Sequence, residues 1–222
     1  MLDSLFKDFD NIIVLDTETT GLSFRNDEII ELAFLRLSGD TMEEYDEFIR
    51  LSPGRRIPPQ IVSLTGISDD MLENYGVEKE RACRALVEAL SGRRTLLAAY
   101  NAQFDLCFLY YFLLRFGKAE VLQGLKLLDA MTVYKDRRPF PHKLANAVSA
   151  YALQTQNTHR AIDDTRATLE LLCAMEAEEA DLERYINLFG YNQKYGVSGP
   201  RISSVRYLPQ GYAGSGKLYL HS

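Results

Sequence analysis

The sequence of 222 residues predicts an α/β fold, in which helices cover both faces of one mixed five-stranded sheet. Three strand-like runs follow one another at residues 11–16, 28–37 and 42–51, and a Gly-Asp pair between the last two favours a hairpin. Two later runs, at residues 95–99 and 125–129, alternate with helix-like segments. The early strands can therefore pair as an antiparallel meander, whereas the later strands can join the sheet in parallel.

The helices are predicted from apolar spacing and from their start and stop signals. Residues 58–64 begin with two prolines and are followed by Thr-Gly, which predicts a short helix. Residues 78–90 carry alanine and leucine at helical spacing. Residues 103–116 are apolar on almost every side, which is typical of a buried helix. Residues 142–151 and 161–180 complete the predicted helices.

The composition changes after residue 183, where glycine and tyrosine become frequent. This change predicts one large domain over residues 1–182 and a C-terminal extension over residues 183–222. We expect the extension to form two strands that pack on the domain, or to bind a partner.

The bulk composition excludes several classes of protein. Hydrophobic residues make up 46% of the chain and charged residues 25%, as in soluble globular proteins. No apolar run approaches the roughly 20 residues of a membrane span, and the first residues lack the apolar core of a signal peptide. We therefore expect a cytoplasmic protein without a membrane partner. The cysteines Cys83, Cys107 and Cys173 have no metal-binding spacing.

The net charge of −6 argues against broad binding to duplex nucleic acid, which needs a basic face. It does not exclude a protein that grips a few nucleotides, because bound cations reverse the local field.

The first acidic cluster is Asp16-Thr17-Glu18, at the end of a predicted strand. Residues two apart on a strand share a face, so the two carboxylates project side by side. They repel each other unless a proton or a cation lies between them, and a divalent cation with hard oxygen ligands resolves the conflict. The alternative is a solvated strand end with two exposed acids, and this pair alone does not decide between them.

Two further clusters stand at helix starts. Asp105 falls in the first turn of the buried helix, with Asn101 as its predicted N-cap. His159 stands just before the last predicted helix, and Asp164 follows a little over one turn later, so both can face one cavity. Each acid could instead only complement the helix dipole.

All three clusters are expected at one edge of the sheet, where open α/β sheets bind their ligands. Four acids and one histidine suit a two-metal phosphodiesterase, in which one cation generates hydroxide and the other stabilises the leaving oxygen. An imidazole titrates near neutral pH and can accept the proton of the attacking water.

The segments LDTETTGL, LAAYNAQFD and HRAIDDTRAT, in this order, resemble the three motifs of the DEDDh 3′→5′ exonucleases. This DnaQ-like family includes the proofreading epsilon subunit of bacterial DNA polymerase III and the exonuclease domain of PolC. The stretch LTGISDDML also resembles one that the family carries. The similarity covers about residues 10–180 and implies a ribonuclease H-like fold. One departure is Tyr100, where polymerase-associated members often have histidine, and it bears on the subfamily rather than on catalysis.

The resemblance implies a site, residue by residue. Asp16, Glu18, Asp105 and Asp164 would hold two divalent cations, Mg²⁺ or Mn²⁺, and His159 would be the general base. The pocket for the terminal nucleotide would be lined by Thr17, Thr19, Leu22, Thr65, Asn101 and Phe104. The substrate would be a single-stranded or frayed DNA 3′ end, the product a nucleoside 5′-monophosphate, and the role proofreading or repair, with a DNA polymerase as a candidate partner.

Two alternatives stay open. The same fold trims RNA 3′ ends, and no residue here identifies a contact to the 2′-hydroxyl group. The chain could instead serve as a polymerase-interaction module, with the tyrosine-rich extension as its surface. Several basic segments are candidates for phosphate contacts: Arg55-Arg56, Arg93-Arg94 and Arg137-Arg138, with residues 135–143 as the best of them.

Overall fold

The structure is a computed structural model that describes residues 2–155, 158–212 and 216–221. Its strands are β1 (Asn11–Thr19), β2 (Ile29–Ser38), β3 (Thr41–Phe48), β4 (Thr95–Ala99), β5 (Lys126–Asp129), β6 (Leu188–Tyr191) and β7 (Arg206–Pro209). Its helices are α1 (Pro59–Thr65), α2 (Asp69–Tyr75), α3 (Lys79–Leu90), α4 (Ala102–Leu114), α5 (Ala130–Arg137), α6 (Leu144–Ala150) and α7 (Ala161–Glu178).

The central sheet has five strands in the order β3-β2-β1-β4-β5. The first three strands pair antiparallel, and β4 and β5 run parallel to β1. A tight turn at Gly39 (φ +57°) joins β2 to β3, whereas helices return the chain between the parallel strands. The predicted mixed sheet is therefore confirmed.

Helices cover both faces of the sheet, because alternate side chains of each strand enter different cores. Ile12 and Val14 of β1 pack in the core that α5, α6 and α7 share. Ile13 and Leu15 pack in the opposite core, with α3 and α4. The predicted three-layer arrangement is confirmed, and β1 lies at its centre.

Two short helices, α2 and α5, were not predicted. Each begins at a residue whose side chain accepts a hydrogen bond from a first-turn amide, Ser68 for α2 and Asp129 for α5. Neither helix carries the apolar spacing on which the other predictions depend. The structure also ends β3 at Phe48 rather than at residue 51, because Ile49 pairs with Val77 in a parallel bridge.

The C-terminal residues pack along the free edge of β5. The N–H of Asn187 donates to the carbonyl of Leu127, and the side-chain oxygen of Asn187 accepts from the N–H of Leu127, both at 2.8 Å. Beyond it, β6 and β7 pair in parallel as a separate sheet. Phe189 and Val205 enter one core, and Leu218 enters the other. The division of the chain into two units at residue 183 stays a prediction.

Two features bear on the expectations from composition. Cys83 and Cys107 are buried, Cys173 is half-buried, and all three are free thiols. Among the described residues, no helix has the length and apolar character that crossing a membrane requires.

Candidate active site

The first acidic cluster lies at the carboxyl end of β1, in the middle of the sheet. Asp16 and Glu18 are half-buried and share the strand face of Ile12 and Val14, which α7 covers. The register with β2 shifts directly after Glu18. Both carboxylates therefore stand where the strand leaves the regular sheet, facing the helix that carries the third cluster.

Asp105 is fixed to this strand end by Thr17, which stands between the two acids. The N–H and the hydroxyl of Thr17 both donate to Asp105 Oδ1, at 3.1 Å and 2.7 Å. Asp105 is only 3% exposed. The Thr17 hydroxyl therefore supports this carboxylate, and the predicted contact of Thr17 with the nucleotide stays a prediction.

The start of α4 is held by an acid that the sequence did not indicate. Asn101 is the N-cap residue, as predicted, but it has a left-handed backbone (φ 64°, ψ 48°) and its side chain makes no capping hydrogen bond. In this conformation the first free amides of the helix face β5. Asp129, at the end of that strand, accepts from the N–H groups of Asn101 and Ala102 at 2.9 Å and 3.2 Å.

The third cluster meets the first. His159 is exposed, has φ +59°, and stands two residues before α7. Asp164, in the first turn of α7, is 6% exposed and accepts from the N–H of Thr158 at 3.2 Å. One ligand atom from each of Glu18, His159 and Asp164 lies within 4.8 Å of the other two. The predicted convergence of strand end and helix start is thus observed for these residues.

The electrostatics of the site favour a bound cation. Burial raises the pKa of Asp16 well above its usual range, and the carboxylates of Asp105 and Asp164 raise it further. Burial, with the charge of Asp164, raises the pKa of Glu18 to about 8. Burial also raises the pKa of Asp105 to about 7, although hydrogen bonds from Thr17 oppose it.

These acids are therefore held together in a partly dry place where their charges repel. A donor set of carboxylate oxygens beside one imidazole fits a divalent cation such as Mg²⁺ or Mn²⁺. The assignment of four acids as ligands stays a prediction, since Glu18 and Asp164 are the two that share the close group with His159.

Glu31 in β2 is a site residue that sequence reasoning missed. It is fully buried and lies opposite Glu18 in the register of β1 and β2. Its carboxylate accepts from Arg160 Nη2 at 2.7 Å and from the N–H of Ala161 at 2.9 Å. Glu31 therefore caps α7 and clamps the residue next to His159. The only signal in the sequence is an acid on the strand face that otherwise carries apolar residues.

The residues predicted to line the nucleotide pocket differ in exposure. Leu22 is 80% exposed, and Asn101 is also exposed. Thr19 and Thr65 are buried, and their hydroxyls donate to the carbonyls of Gly21 and Ile61.

Phe104 is half-buried and packs edge-on against Phe24, with ring centroids 6.0 Å apart. Leu22 and Asn101 are thus free to meet a ligand, whereas the two threonines shape turns. The pocket itself stays a prediction.

Several of the paired arginines that were predicted to contact phosphate form ion pairs within the chain. The Arg137 side chain is 8% exposed and pairs with Asp181 at 2.6 Å, so the prediction that it contacts phosphate is wrong. Arg138 pairs with Glu178 at 2.9 Å, and Arg94 pairs with Asp10. These cations are engaged by acids of the same chain.

The chain matches one family model and is similar to several known proteins. The family model described as "Exonuclease" (RNase_T) matches residues 13–172. The DNA polymerase III subunit epsilon of Treponema pallidum is 34% identical over 175 residues, which cover 74% of this chain and 76% of that protein. The PolC-type DNA polymerase III of Bacillus subtilis is also 34% identical over 175 residues, but the match spans 12% of its length.

Solved structures show the same architecture. Exonuclease I of E. coli, in complex with a dA16 oligonucleotide, superposes with a TM-score of 0.72 at 16% identity, covering 79% of this chain and 42% of that one. Exonuclease I from Methylocaldum szegediense gives 0.70 at 20% identity, with 79% and 42% covered. At these identities the likeness concerns the fold, and with the sheet order it confirms the predicted ribonuclease H-like architecture.

Proposed function

We propose a specific reaction for this chain, which belongs to the exonuclease family and is a 3′→5′ exonuclease similar to a DNA polymerase III epsilon subunit. It hydrolyses phosphodiester bonds at DNA 3′ ends with the help of two divalent cations and releases nucleoside 5′-monophosphates. The role is proofreading or repair. The observation that carries the proposal is the meeting of Glu18, His159 and Asp164 within 4.8 Å, with the half-buried Asp16 and the buried Asp105 as further acids of the site.

Each residue has a distinct role in the proposed reaction. Asp16, Glu18, Asp105 and Asp164 hold the cations, which when bound activate water and stabilise the leaving 3′-oxygen. Thr17 keeps Asp105 in place through two hydrogen bonds to one oxygen. His159, exposed beside Glu18 and Asp164, accepts the proton of the attacking water at its imidazole nitrogen.

The choice of DNA is supported by the relatives. The similar epsilon and PolC-type proteins are DNA polymerase III components, and the exonuclease I structure holds a DNA oligonucleotide. An interaction with a DNA polymerase belongs to the same proposal. The runner-up substrate is an RNA 3′ end, which the same cations would serve equally well.

The test is digestion of a 5′-labelled single-stranded DNA oligonucleotide, with the shortening ladder read on a gel. Asp16→Asn and Asp164→Asn should each lower the Mg²⁺-dependent rate by at least about 1,000-fold, because each removes a cation ligand. Asp163→Asn is the matched control, since Asp163 neighbours Asp164 but bonds to Thr158 and Arg166. Its rate should stay within about threefold.

Undiminished metal-dependent digestion by either ligand variant would show the proposed reaction to be wrong. Faster digestion of RNA than of DNA of the same sequence would transfer the proposal to the runner-up substrate.

A further inference from the structure

The C-terminal part of the chain differs sharply in charge from the rest. Residues 184–222 contain five Lys or Arg and no Asp or Glu. Since the whole chain carries −6, residues 1–183 carry −11. The same 184–222 segment holds six of the 13 tyrosines. Cations interleaved with aromatic rings are typical of surfaces that bind single-stranded nucleic acid.

This segment is anchored at the start of α4, next to the second acidic cluster. Gln103 is buried two residues before Asp105. Its amide nitrogen donates to the carbonyls of Ser198 and Pro200, at 2.9 Å and 2.8 Å. Its amide oxygen accepts from the Tyr207 hydroxyl at 2.6 Å. Three hydrogen bonds therefore hold the segment against the helix that positions Asp105.

The same segment also touches the loop that follows β1. Gly199 has φ +76°, and a Cβ there would lie 2.5 Å from the ring of Phe24 and 3.2 Å from the sulfur of Cys107. Only glycine allows the backbone to approach this closely. The segment thus borders both the loop after the first cluster and the helix of the second.

Cationic and aromatic side chains are among those that this segment exposes. Tyr195 is 71% exposed, with the Lys194 ammonium group 5.2 Å from its ring centroid. Arg201 is exposed and lies over the rings of Tyr191 and Tyr207, at 5.7 Å and 5.1 Å. Within the described part of the chain, neither Lys194 nor Arg201 forms an ion pair, in contrast to Arg137 or Arg138.

We propose that Lys194, Tyr195 and Arg201 form a binding surface for single-stranded nucleic acid, which holds the strand upstream of the nucleotide being removed. The inference deepens the proposed function and rests on it. The acidic body repels a phosphate backbone, so a strand whose 3′ end reaches the site needs a compensating surface nearby. Tyr195 is three residues from Ser198, so their Cα atoms lie within roughly 11 Å of each other, and the Ser198 carbonyl accepts the hydrogen bond from Gln103.

The kinetic test compares a long with a short substrate. The double variant K194A/Y195A should raise KM about tenfold for a dT oligonucleotide of about 12 nucleotides, because a stacked base and a phosphate contact are lost. The salt dependence of log(kcat/KM) should flatten by about 0.7. The p-nitrophenyl ester of thymidine 5′-monophosphate occupies only the catalytic pocket, so its hydrolysis should not change.

Two controls separate the contact from general effects. Tyr195→Phe, with Lys194 unchanged, keeps the aromatic ring and should give the same oligonucleotide KM as the unsubstituted chain. Lys126→Ala removes a cation at the amino end of β5, whereas the site lies at the carboxyl end of β1. This variant should leave KM within about twofold.

Binding is measured separately from catalysis by fluorescence anisotropy of the labelled oligonucleotide in EDTA at low salt. The double variant should bind about tenfold more weakly than the unsubstituted chain. If the unsubstituted chain cleaved neither substrate while this difference persisted, the proposed function would fail and the binding surface would stand. Equal affinities together with equal KM values would overturn the inference and leave a protein partner as the occupant of this surface.

Discussion

At the scale of single residues, the acids around the end of β1 decide how stability depends on pH. The pKa values of Glu18 and Asp105 are raised to about 8 and about 7. A carboxyl group whose pKa is higher in the folded than in the unfolded chain favours the fold while it is protonated. Its contribution is therefore lost as pH rises from the ordinary value toward the folded one.

We predict that the metal-free protein melts at least roughly 5 °C lower at pH 8.5 than at pH 5. Mg²⁺ should restore the melting temperature at pH 8.5 and have little effect at pH 5, where protons already neutralise the site. Differential scanning calorimetry in EDTA and in Mg²⁺ measures both. Asp16→Asn should reduce the difference, and a melting temperature that rises from pH 5 to 8.5 would contradict the prediction.

Glu28 shows the opposite sign. It is 5% exposed and accepts from Lys79 Nζ at 2.7 Å and from the N–H of Ser52 at 3.0 Å. Burial alone would raise its pKa, but these hydrogen bonds lower it to about 2. Its contribution to stability is therefore complete above its usual pKa of 4.5 and is lost as pH falls toward 2.

Glu28→Gln should lower the free energy of unfolding by about 2 to 3 kcal/mol at pH 7, because it leaves Lys79 without its buried partner. The difference from the unsubstituted chain should shrink progressively below pH 4.5. Urea titrations at several pH values measure it. Glu78→Gln breaks the exposed pair with Arg50 and should cost less than about 0.5 kcal/mol. Equal losses for the two variants would count against the buried pair.

At the scale of elements, α7 depends on an acid from the neighbouring strand. Glu31 accepts hydrogen bonds from the first N–H group of α7 and from the Arg160 side chain. Arg160 directly follows His159. Glu31→Gln should lower stability by about 3 kcal/mol and kcat by about tenfold or more, since Arg160 loses its buried partner and the histidine loses its support.

The matched control for Glu31 is Glu44→Gln. Glu44 pairs with Arg166 of the same helix in a half-exposed position, so both stability and kcat should change little. Thermal unfolding and single-turnover digestion are measured on each variant. A Glu31 variant that loses stability yet keeps its full kcat would show that Glu31 supports the fold but does not position His159.

The elements show which parts of a sequence are informative. Long helices with apolar spacing, such as α3 and α7, were predicted within about two residues of their observed ends. The helices α2 and α5 were missed because side-chain caps rather than apolar periodicity define them. The proximity of Glu18 and Asp164 was predicted from a strand end and a helix start. Glu31 and Asp129 were not predicted, because their partners come from elements distant in sequence.

At the scale of the whole molecule, the C-terminal residues complete the sheet and both cores. Asn187 uses its own N–H and side-chain oxygen to pair with Leu127 at the edge of β5. No pattern in the sequence predicted this pairing, because one asparagine makes the two hydrogen bonds that an added strand would otherwise make. The meander and the parallel strands were predictable because their periodicity and connections are local.

Asn187→Ala should lower the free energy of unfolding by about 1 to 2 kcal/mol, because the buried N–H of Leu127 loses its acceptor. Urea unfolding followed by circular dichroism measures the loss. Asn74→Ala, which removes an exposed amide bonded to its own helix, should cost less than about 0.5 kcal/mol. Equal stability of the Asn187 variant and the unsubstituted chain would show that the edge pairing contributes little.

The two edges of the central sheet also differ in how they meet other molecules. On one side, Asn187 occupies the hydrogen-bonding groups of Leu127 in β5. On the other side, β3 carries acids at positions 43, 44, 46 and 47 and is mostly exposed. An uncovered strand is a template for aggregation, and charged side chains along it disfavour the addition of a second copy. The protein should therefore resist edge-to-edge polymerisation, and replacing these acids with neutral residues should weaken that resistance.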